Sequence, residues 1–271
     1  MSNETRLDVL LVERGLISGR DRAKELIARG LVLVNGAVAQ KPSEKYPADI
    51  PLEVAGTEAH YVSRAAAKLS GALDSFSLSV EGKTVLDVGA STGGFTQCAL
   101  ERGAVRVYAV DVGRDQLAPA LRRDPRVTDF QQTDIRLLRE EQLPVPPEFA
   151  VCDVSFISLR LVLPHIRRLL TEDGQAVVLI KPQFEAGRAA VGRGGLVKDP
   201  AVHLRVLEEM LEQFRLCRFR TAGLMPSPIR GGDGNVEYLA WLRQTGEEGS
   251  FDLPAVVRSA WQSNGKEVVR Q

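Results

Sequence analysis

The stretch LDVGASTGGF, residues 86–95, decides the fold. KTVLDVG, which runs into it, is typical of a buried strand, and GFTQCALERG, which leaves it, is typical of a helix. Gly89, Gly93 and Gly94 therefore belong to a strand-to-helix turn. Glycines there let the backbone approach a ligand closely, and the free N–H groups of the helix start can donate to it. A tight turn without a ligand is the alternative.

The spacing of these glycines indicates which ligand the turn accepts. It reads G-x-x-x-G-G rather than the G-x-G-x-x-G of dinucleotide-binding folds. Asp87, just before the turn, adds a carboxylate that would repel a pyrophosphate. The expected ligand therefore offers a cation or hydrogen-bond donors, as the amino group of S-adenosylmethionine does.

Strands and helices alternate from residue 80 onward, which predicts an α/β domain with a parallel, doubly wound sheet. The strands predicted after KTVLDVG are VRVYAVDVG, VTDFQQTD, EFAVCDVSF and QAVVLIKPQF. The predicted helices are GFTQCALERG, DQLAPALRR, LRLVLPHIRRLL and AVHLRVLEEMLEQF. A closing pair of strands, expected to be antiparallel, is predicted from CRFRTAGLMPS and NVEYLAWLR. The sheet then has seven strands.

Two acids follow the second and third of these strands. Asp111 ends the second strand, where a carboxylate can accept both ribose hydroxyls of an adenosine. Asp134 follows the third strand and is placed to accept from an adenine amino group, although a helix cap or turn role is its alternative. The carboxyl ends of adjacent parallel strands are where open α/β sheets bind ligands. We therefore expect both acids beside the glycine turn.

Three more charged residues are expected at the same edge of the sheet. Asp153 ends the fourth strand, and Lys181 ends the fifth. A lysine at the rim of a core is costly unless it is paired or used. The pair is either a salt bridge that closes the sheet edge or a lysine held beside a hydroxyl nucleophile. Glu237, in the seventh predicted strand, shares a face with Asn235 and Leu239, and an exposed strand glutamate is its alternative.

The stretch VSRAAAKL, residues 62–69, predicts a helix that carries two positive charges at positions unfavourable for helix stability. Ser63 is a good N-cap before three alanines. Arg64 and Lys68 lie four residues apart, so they repel each other, and cations near a helix N-terminus oppose the helix dipole. These cations are either solvated or matched by something polar or negative opposite them.

The first sixty residues predict a separate small module. RLDVLLVERG, closing at Gly15, and GRDRAKELIARG predict two short helices, and Asn35-Gly36 predicts a hairpin turn. A Pro-rich extended stretch and a linker near residues 55–62 follow. Eight basic and five acidic residues between Arg6 and Lys45 give a modest positive bias.

Composition excludes several classes of protein. The 271 residues carry 35 basic and 35 acidic side chains, so net charge alone does not indicate a nucleic-acid partner. No apolar run is long enough for a membrane span, and the N-terminus does not read as a signal peptide, so we expect a cytoplasmic protein. Neither disulfides nor a metal site is expected from the scattered Cys98, Cys152, Cys217, His60, His165 and His203.

Motifs in both halves resemble known families. RLDVLLVERGL, GRDRAKELIARG, VLVNG and KPS resemble the S-four RNA-binding domain of ribosomal small-subunit protein four. SRAAAKL, LDVGASTGGF, DVSFISL, LIKPQFE and SPIRGGDGNVEYL resemble the FtsJ-type ribose 2′-O-methyltransferases. Their combination is similar to the TlyA family, often described as haemolysin-like. The resemblance implies an RNA-binding domain at residues 1–60 and a Rossmann-like methyltransferase domain at residues 61–271.

The resemblance also implies which residues act. The family's catalytic tetrad corresponds to Lys68, Asp153, Lys181 and Glu237. S-adenosylmethionine is implied as cofactor, held by Asp87, Gly89, Ser91, Gly93, Gly94, Phe95, Asp111 and Asp134. The implied substrate is the ribose of a cytidine in ribosomal RNA, within ribosomal subunits, with RNA contacts from Arg6, Arg20, Lys24, Arg29, Lys41 and Arg64. The GRDRA segment lacks the Ser-Arg that many S-four domains carry before this helix.

Three other functions are open on the sequence alone. The chain could be an RNA-binding protein with a decayed methyltransferase domain, a secreted haemolysin, or a base-directed methyltransferase. Cys152 alternates with Asp153 on its strand, so its side chain is expected to point away from the site, which disfavours a catalytic cysteine. The Gly-rich, basic loop at residues 186–199 is either a mobile RNA-contacting lid or a flexible connection.

Overall fold

A computed structural model describes residues 4–14, 16–17, 19–54 and 61–262. Gly15, His60 and most of the predicted linker near residues 55–62 lie outside these ranges. The chain divides into two compact units, Met1–Ala66 and Ala67–Gln271. Each unit is described by itself.

The N-terminal unit is built from two short helices and two small sheets. Its elements are β1 (Thr5–Arg6), α1 (Leu7–Glu13), α2 (Arg20–Ala28), β2 (Val32–Val34), β3 (Ala37–Val38), β4 (Lys45–Tyr46) and β5 (Leu52–Val54). The predicted hairpin is confirmed, since β2 pairs antiparallel with β3 and both Asn35 and Gly36 have positive φ, as a type I′ turn needs. The pairings of β1 with β4 and of β2 with β5 were not predicted. A single apolar core joins the helices to β2.

The C-terminal unit contains the predicted seven-stranded sheet. Its elements are α3 (Ala65–Ser75), β6 (Thr84–Val88), α4 (Gly94–Glu101), β7 (Arg106–Val110), α5 (Pro119–Arg122), β8 (Val127–Phe130), β9 (Phe149–Cys152), α6 (Leu159–Leu169), β10 (Gln175–Ile180), α7 (Pro182–Glu185), α8 (Pro200–Leu216), β11 (Arg220–Pro226), β12 (Tyr238–Arg243) and α9 (Leu253–Gln262). The strand order is β11-β12-β10-β9-β6-β7-β8. Strands β6 to β10 run parallel, and β12 is antiparallel to both of its neighbours, so the predicted fold class is confirmed.

Three details of the sequence prediction were wrong. Helix α5 begins only at Pro119, after Asp115 adopts a positive φ, so DQLAPALRR is helical in its second half alone. Glu237 immediately precedes β12 rather than lying within it. The amphipathic helix α9 was not predicted, and it packs its apolar face, including Val257 and Ala260, into the main core of the unit.

The strand order brings the central strands' carboxyl ends together. Strand β9 lies between β6 and β10, with Cys152 paired to Val88 on one side and to Val178 on the other. The Asp153 N–H donates to the Val88 carbonyl at 3.0 Å, which continues the ladder by one residue. Residues that follow these three strands therefore meet at one edge of the sheet.

The glycine turn after β6 packs closely against the residues that follow β9. Gly89 has a φ of +83°, and a Cβ there would lie 2.7 Å from the Asp153 carbonyl oxygen. Because backbone atoms at that distance cannot yield without moving β9, only glycine fits. Gly82 also has a positive φ, of +71°, but its Cβ would meet open space. Both glycines have a positive φ, but a side chain would clash only at Gly89. Substitutions at the two positions therefore separate the cost of backbone strain from the cost of a steric clash.

We predict that Gly89→Ala destabilises the C-terminal unit more than Gly82→Ala does. Gly82→Ala is expected to cost only the left-handed backbone penalty of about 1–2 kcal/mol. Gly89→Ala adds a clash that is expected to bring a further cost of about 1–3 kcal/mol. Urea unfolding followed by tryptophan fluorescence measures this, since Trp241 and Trp261 both belong to this unit. Equal losses in the two variants would contradict the crowding argument.

Candidate active site

Four charged side chains from four elements converge at this edge of the sheet. Lys68 Nζ, from α3, lies 2.7 Å from Glu237 Oε2 and 3.6 Å from Asp153 Oδ2. Lys181 Nζ lies 2.6 Å from Asp153 Oδ1. Asp153 thus bridges the two lysines through its two oxygens. The structure brings together all four residues of the predicted catalytic set.

The set is buried, and burial perturbs one of its carboxylates. The side chains of Lys68 and Glu237 are 7% and 2% exposed. Loss of hydration raises the pKa of Glu237, while the positive charge of Lys68 opposes that rise. Two ammonium groups and two carboxylates leave the site neutral in charge, which is the condition under which such groups can be buried together.

Close backbone packing positions Glu237 and Lys68. A Cβ on Gly231 would lie 2.5 Å from Glu237 Oε1, so a larger residue in this turn would displace the carboxylate from its present position. A Cβ on Gly71 would lie 2.9 Å from Pro228 Cγ, which shows how tightly α3 packs against the segment leading to Glu237. The Ser227 N–H donates to the Glu237 carbonyl at 2.8 Å. Helix α3 and this segment form one packed unit around the Lys68–Glu237 pair.

A cavity of about 510 Å³ opens beside Asp153. Its walls come from the ends of β6, β7 and β9 and from the turn after β8. Of the predicted cofactor contacts, it is lined by Gly89, Ser91, Asp111 and Asp134. The lining also includes Asp153, Ser155 and Phe156. The cavity therefore connects the predicted cofactor residues to the charged set.

Asp111 organises the wall formed by the glycine turn. Its carboxylate accepts from the Ser91 N–H at 2.8 Å and from the Gly113 N–H at 2.7 Å, so it joins the turns after β6 and β7. Asp134 is paired with Arg136 at 2.6 Å, and that guanidinium lowers the pKa of the Asp134 carboxyl. Asp134 also accepts from the Arg136 N–H, which is the turn role that the sequence left open for it.

Four of the predicted cofactor residues do not line the cavity. Gly93, Gly94 and Phe95 are buried at the start of α4, where Phe95 packs into the core at 2% exposure. Asp87 is fully buried, accepts from Thr96 Oγ1 at 2.6 Å, and has its pKa raised to about 7 by loss of hydration. Burial explains this, because Gly93, Gly94 and Phe95 lie at the buried start of α4 and Asp87 is tied to that helix through Thr96.

Two residues of the DVSF segment reach the site without having been predicted. Lys181 Nζ donates to Ser155 Oγ at 2.8 Å. Phe156 has a φ of +64° and is 91% exposed, with its ring centroid 5.3 Å from that of Phe184. A positive φ is uncommon for a bulky residue and marks a tightly constrained loop. No period or spacing in the sequence identifies such loop residues.

The basic loop at residues 186–199 is anchored at its second half. Asn235 Oδ1 accepts from the Val197 N–H at 3.1 Å, and Asn235 Nδ2 donates to the Gly195 carbonyl at 3.0 Å. His203 is buried, which lowers its pKa, so its neutral ring donates from Nε2 to the Val197 carbonyl and accepts at Nδ1 from the Tyr238 hydroxyl. The segment around Glu237 thus holds this part of the loop in place.

The predicted RNA contacts of the N-terminal unit include charges that are already paired. Arg6 and Arg20 both bind the fully buried Asp8, at 3.0 and 3.2 Å. The hydrogen bond from Arg6 is the largest cause of the fall in the pKa of Asp8 to about 2. The guanidinium groups keep about half of their side-chain surface exposed. Lys24 pairs with Asp21 and Arg29 with Glu25, whereas Lys41 is exposed and Arg64 is half-buried before α3.

The residues that the structure describes give little support to a catalytic cysteine, a metal site or a membrane span. Cys152 is fully buried in the sheet core, and burial raises the pKa of its thiol, as expected for a side chain pointing away from the site. Within residues 4–54 and 61–262, apart from positions 15 and 18, no cluster of three metal-binding side chains occurs. None of the helices described there is long and apolar enough to cross a membrane.

Comparison with known proteins matches both units. Residues 61–244 match the FtsJ-like methyltransferase model, and residues 5–48 match the S4 domain. The chain is 49% identical over 247 residues to YqxC of Bacillus subtilis, covering 91% of this chain and 88% of the relative. It is 43% identical over 244 residues to the 16S/23S rRNA (cytidine-2′-O)-methyltransferase TlyA of Mycobacterium tuberculosis, covering 90% and 91%. A solved haemolysin-type structure from Streptococcus thermophilus aligns with a TM-score of 0.79 at 41% identity, over 99% of each chain.

We predict that Lys68→Met destabilises the C-terminal unit by about 3–5 kcal/mol, because it leaves the Glu237 carboxylate buried without its cation. Burial raises the pKa of Glu237 above its ordinary 4.5, and losing Lys68 raises it further. The folded variant then holds a proton that the unfolded chain releases, so the contribution of Glu237 to its stability is largest below pH 4.5 and falls as the pH rises. Urea unfolding at pH 5 and pH 8 measures this difference.

Two further variants control for the loss of a lysine charge. Arg215→Met removes a cation from the exposed pair with Glu212 and is expected to cost less than about 1 kcal/mol at either pH. The double variant Lys68→Met/Glu237→Gln is expected to lose the pH dependence and regain part of the stability. If Lys68→Met is equally stable at both pH values, Glu237 is not the group left uncompensated.

Proposed function

Because the chain belongs to the TlyA family of FtsJ-like methyltransferases with an N-terminal S4 domain, we propose that it transfers a methyl group from S-adenosylmethionine to the ribose 2′-hydroxyl of a cytidine in ribosomal RNA. The observation that carries this proposal is the Lys181–Asp153 pair at the rim of the cavity. It supports a lysine held beside a weak hydroxyl nucleophile, rather than only a salt bridge closing the sheet, because the neighbouring Lys68 and Glu237 complete the family's set.

The chemistry of the cavity fits S-adenosylmethionine. Bound there, the cofactor supplies an electrophilic methyl group on a sulfonium. Asp111 would accept hydrogen bonds from its ribose, and Asp134 from its adenine amino group. In the cavity wall, Asp111 accepts from two backbone N–H groups, so its carboxylate favours a ligand that carries hydrogen-bond donors or positive charge, whereas Asp134 and Asp153 are already paired with cations. Gly89 lets the turn after β6 pack against the backbone after β9 and so completes this wall.

The proposed roles of the charged set follow from its contacts. A ribose hydroxyl must lose its proton as it attacks, and Lys181 either takes that proton or, as an ammonium, stabilises the developing oxyanion. Asp153 orients Lys181 through the 2.6 Å contact. Lys68 contacts the other oxygen of Asp153 and so keeps that side chain in place, and Glu237 balances the charge of Lys68. Alignment of the oxygen with the methyl group supplies the remainder of the acceleration.

The N-terminal unit is proposed as the part that binds ribosomal RNA. Its S4 match covers residues 5–48, which supports our division of the chain into an RNA-binding domain at residues 1–60 and a methyltransferase domain at residues 61–271. We propose that RNA phosphates are met by Arg6, Arg20, Lys24, Arg29, Lys41 and Arg64. A protein with this substrate works in the cytoplasm, where ribosomal subunits are found. A decayed enzyme is not favoured, since all four residues of the family's catalytic set are present and in contact, beside a cavity that carries predicted cofactor residues.

We predict that Lys181→Ala lowers methyl transfer about 10²–10⁴-fold, because the group that activates the hydroxyl is lost. Cofactor affinity is expected to stay within about twofold, since Asp111 and the glycine turn remain. Incorporation of tritiated methyl into purified ribosomal subunits measures methyl transfer, and calorimetric titration measures cofactor affinity. Lys83→Ala is the matched control, because Lys83 precedes β6 at the opposite edge of the sheet. Full activity of Lys181→Ala would overturn the assignment.

We predict that Asp111→Ala weakens S-adenosylmethionine binding by at least about tenfold, since both the ribose acceptor and the link between the turns at Ser91 and Gly113 are removed. Calorimetric titration measures this directly. Asp115→Ala, which removes an exposed carboxylate outside the cavity lining, is expected to bind normally. Mapping 2′-O-methylated nucleosides in ribosomal RNA by mass spectrometry, with and without the wild-type protein, tests the proposed reaction itself.

A further inference from the structure

The hydroxyl of Ser155 is the second polar partner of Lys181. Lys181 Nζ lies 2.6 Å from Asp153 Oδ1 and donates to Ser155 Oγ at 2.8 Å. An ammonium donates up to three hydrogen bonds and accepts none. The contact with Asp153 is an ion pair without hydrogen-bond geometry, whereas Ser155 Oγ accepts a hydrogen bond from Lys181. Ser155 lines the cavity, whereas the side chain of Lys181 is only 9% exposed.

The loop that carries Ser155 is fastened at both ends to the strands beside it. At its start, the Asp153 N–H donates to the carbonyl of Val88. At its end, Ser158 Oγ donates to Glu185 Oε2 at 2.6 Å, and the Leu159 N–H donates to Glu185 Oε1 at 2.8 Å. The loop is therefore held to the ends of β6 and β10.

The second of these attachments also couples the loop to Lys181. Glu185 belongs to α7, which begins directly after Lys181, and its carboxyl is buried with a raised pKa. Ser155 and Lys181 thus sit on two segments that one buried carboxylate holds together. The positive φ of Phe156, the residue after Ser155, is consistent with a loop that the surrounding contacts determine closely. Ser155 is exposed at the cavity, but these attachments fix its backbone, so its hydroxyl is presented to Lys181 at 2.8 Å by the local fold.

Both contacts of Lys181 lie beside the cavity, since Asp153 and Ser155 are among its lining residues. Asp153 supplies the negative charge that offsets the buried ammonium, and Ser155 Oγ gives that ammonium a second fixed contact at the cavity wall. Ser155 is a neutral acceptor and does not offset the charge of Lys181 as a second carboxylate would.

We propose that Ser155 is a positioning residue for Lys181: its hydroxyl accepts a hydrogen bond from the ammonium and holds it at the cavity wall, where a substrate oxygen would lie. The inference rests on the proposed function of Lys181 as the group that activates a ribose hydroxyl. Without Ser155, Lys181 keeps its ion pair with Asp153 but loses the hydrogen bond that fixes the position of its ammonium.

Kinetics of Ser155→Ala and Ser155→Thr test the proposal. Ser155→Ala is expected to lower kcat about 10- to 100-fold, as for a lost hydrogen bond to a charged group, while KM for ribosomal subunits and cofactor affinity stay within about twofold. Ser155→Thr keeps the hydroxyl and is expected to retain kcat within about threefold. Ser79→Ala, which removes an exposed serine hydroxyl that accepts from the Glu81 N–H, is the control and is expected to behave as wild type.

A kcat for Ser155→Ala equal to that of the wild type overturns the proposal. A kcat for Ser155→Thr as low as that of Ser155→Ala overturns it as well, because the hydroxyl would then not be the group that matters.

A measurement without turnover separates this proposal from the proposed function. The ¹³Cε resonance of Lys181, labelled with ¹³C-lysine and assigned by its absence in Lys181→Arg, reports the surroundings of the amine. Its chemical shift at one fixed pH is expected to change in Ser155→Ala and to stay in place in Ser155→Thr and Ser79→Ala. An unchanged resonance in Ser155→Ala overturns the positioning role even where methyl transfer is normal. A changed resonance in Ser155→Ala, together with a wild-type protein that methylates no ribosomal RNA, supports the positioning role and refutes the reaction.

Discussion

The bridge that Asp153 makes between Lys68 and Lys181 is the interaction on which the site depends. Its two oxygens contact one lysine each, at 3.6 and 2.6 Å, so neither lysine is buried without an anion. Glu237 adds the second negative charge, at 2.7 Å from Lys68. Removing any one of the four leaves an unmatched charge in a desolvated place, which costs more than the pair contributes when it is intact. The set can therefore be maintained only as a whole.

The topology of the sheet explains how four distant residues meet. Parallel strands β6, β9 and β10 all end at one edge, and an antiparallel strand beside them must begin there. Strand β12 is that strand, since Tyr238 pairs with Ile180, and the residues before Tyr238 and after Ile180 are Glu237 and Lys181. A parallel β12 would place Glu237 at the opposite edge. The single antiparallel strand is thus what brings the second carboxylate to the site.

Much of this arrangement could be predicted from the sequence because it depends on strand ends. Asp111, Asp153 and Lys181 each follow an apolar run, and parallel strands end at one edge, so their proximity follows from the alternating pattern. Ser155 could not be predicted in this way, because its position depends on the buried Glu185 that ties down its loop. The exclusion of Phe95 from the cavity depends on which side of the turn faces the core, and that is set by packing of α4 rather than by spacing.

Lys68 shows how a residue that is unfavourable for its own helix can indicate a functional site formed by tertiary contacts. The Ser63 hydroxyl accepts from the Ala65 N–H at 3.1 Å, so the helix begins with the N-cap interaction that the sequence predicts. A cation in the first turns of that helix is unfavourable by a few tenths of a kcal/mol to about 1 kcal/mol, as are like charges four residues apart. The buried contact with Glu237 is a stronger interaction than either penalty, so the lysine is tolerated where helix propensity alone would disfavour it. A charge placed against its own helix dipole is therefore evidence for a partner elsewhere in the chain.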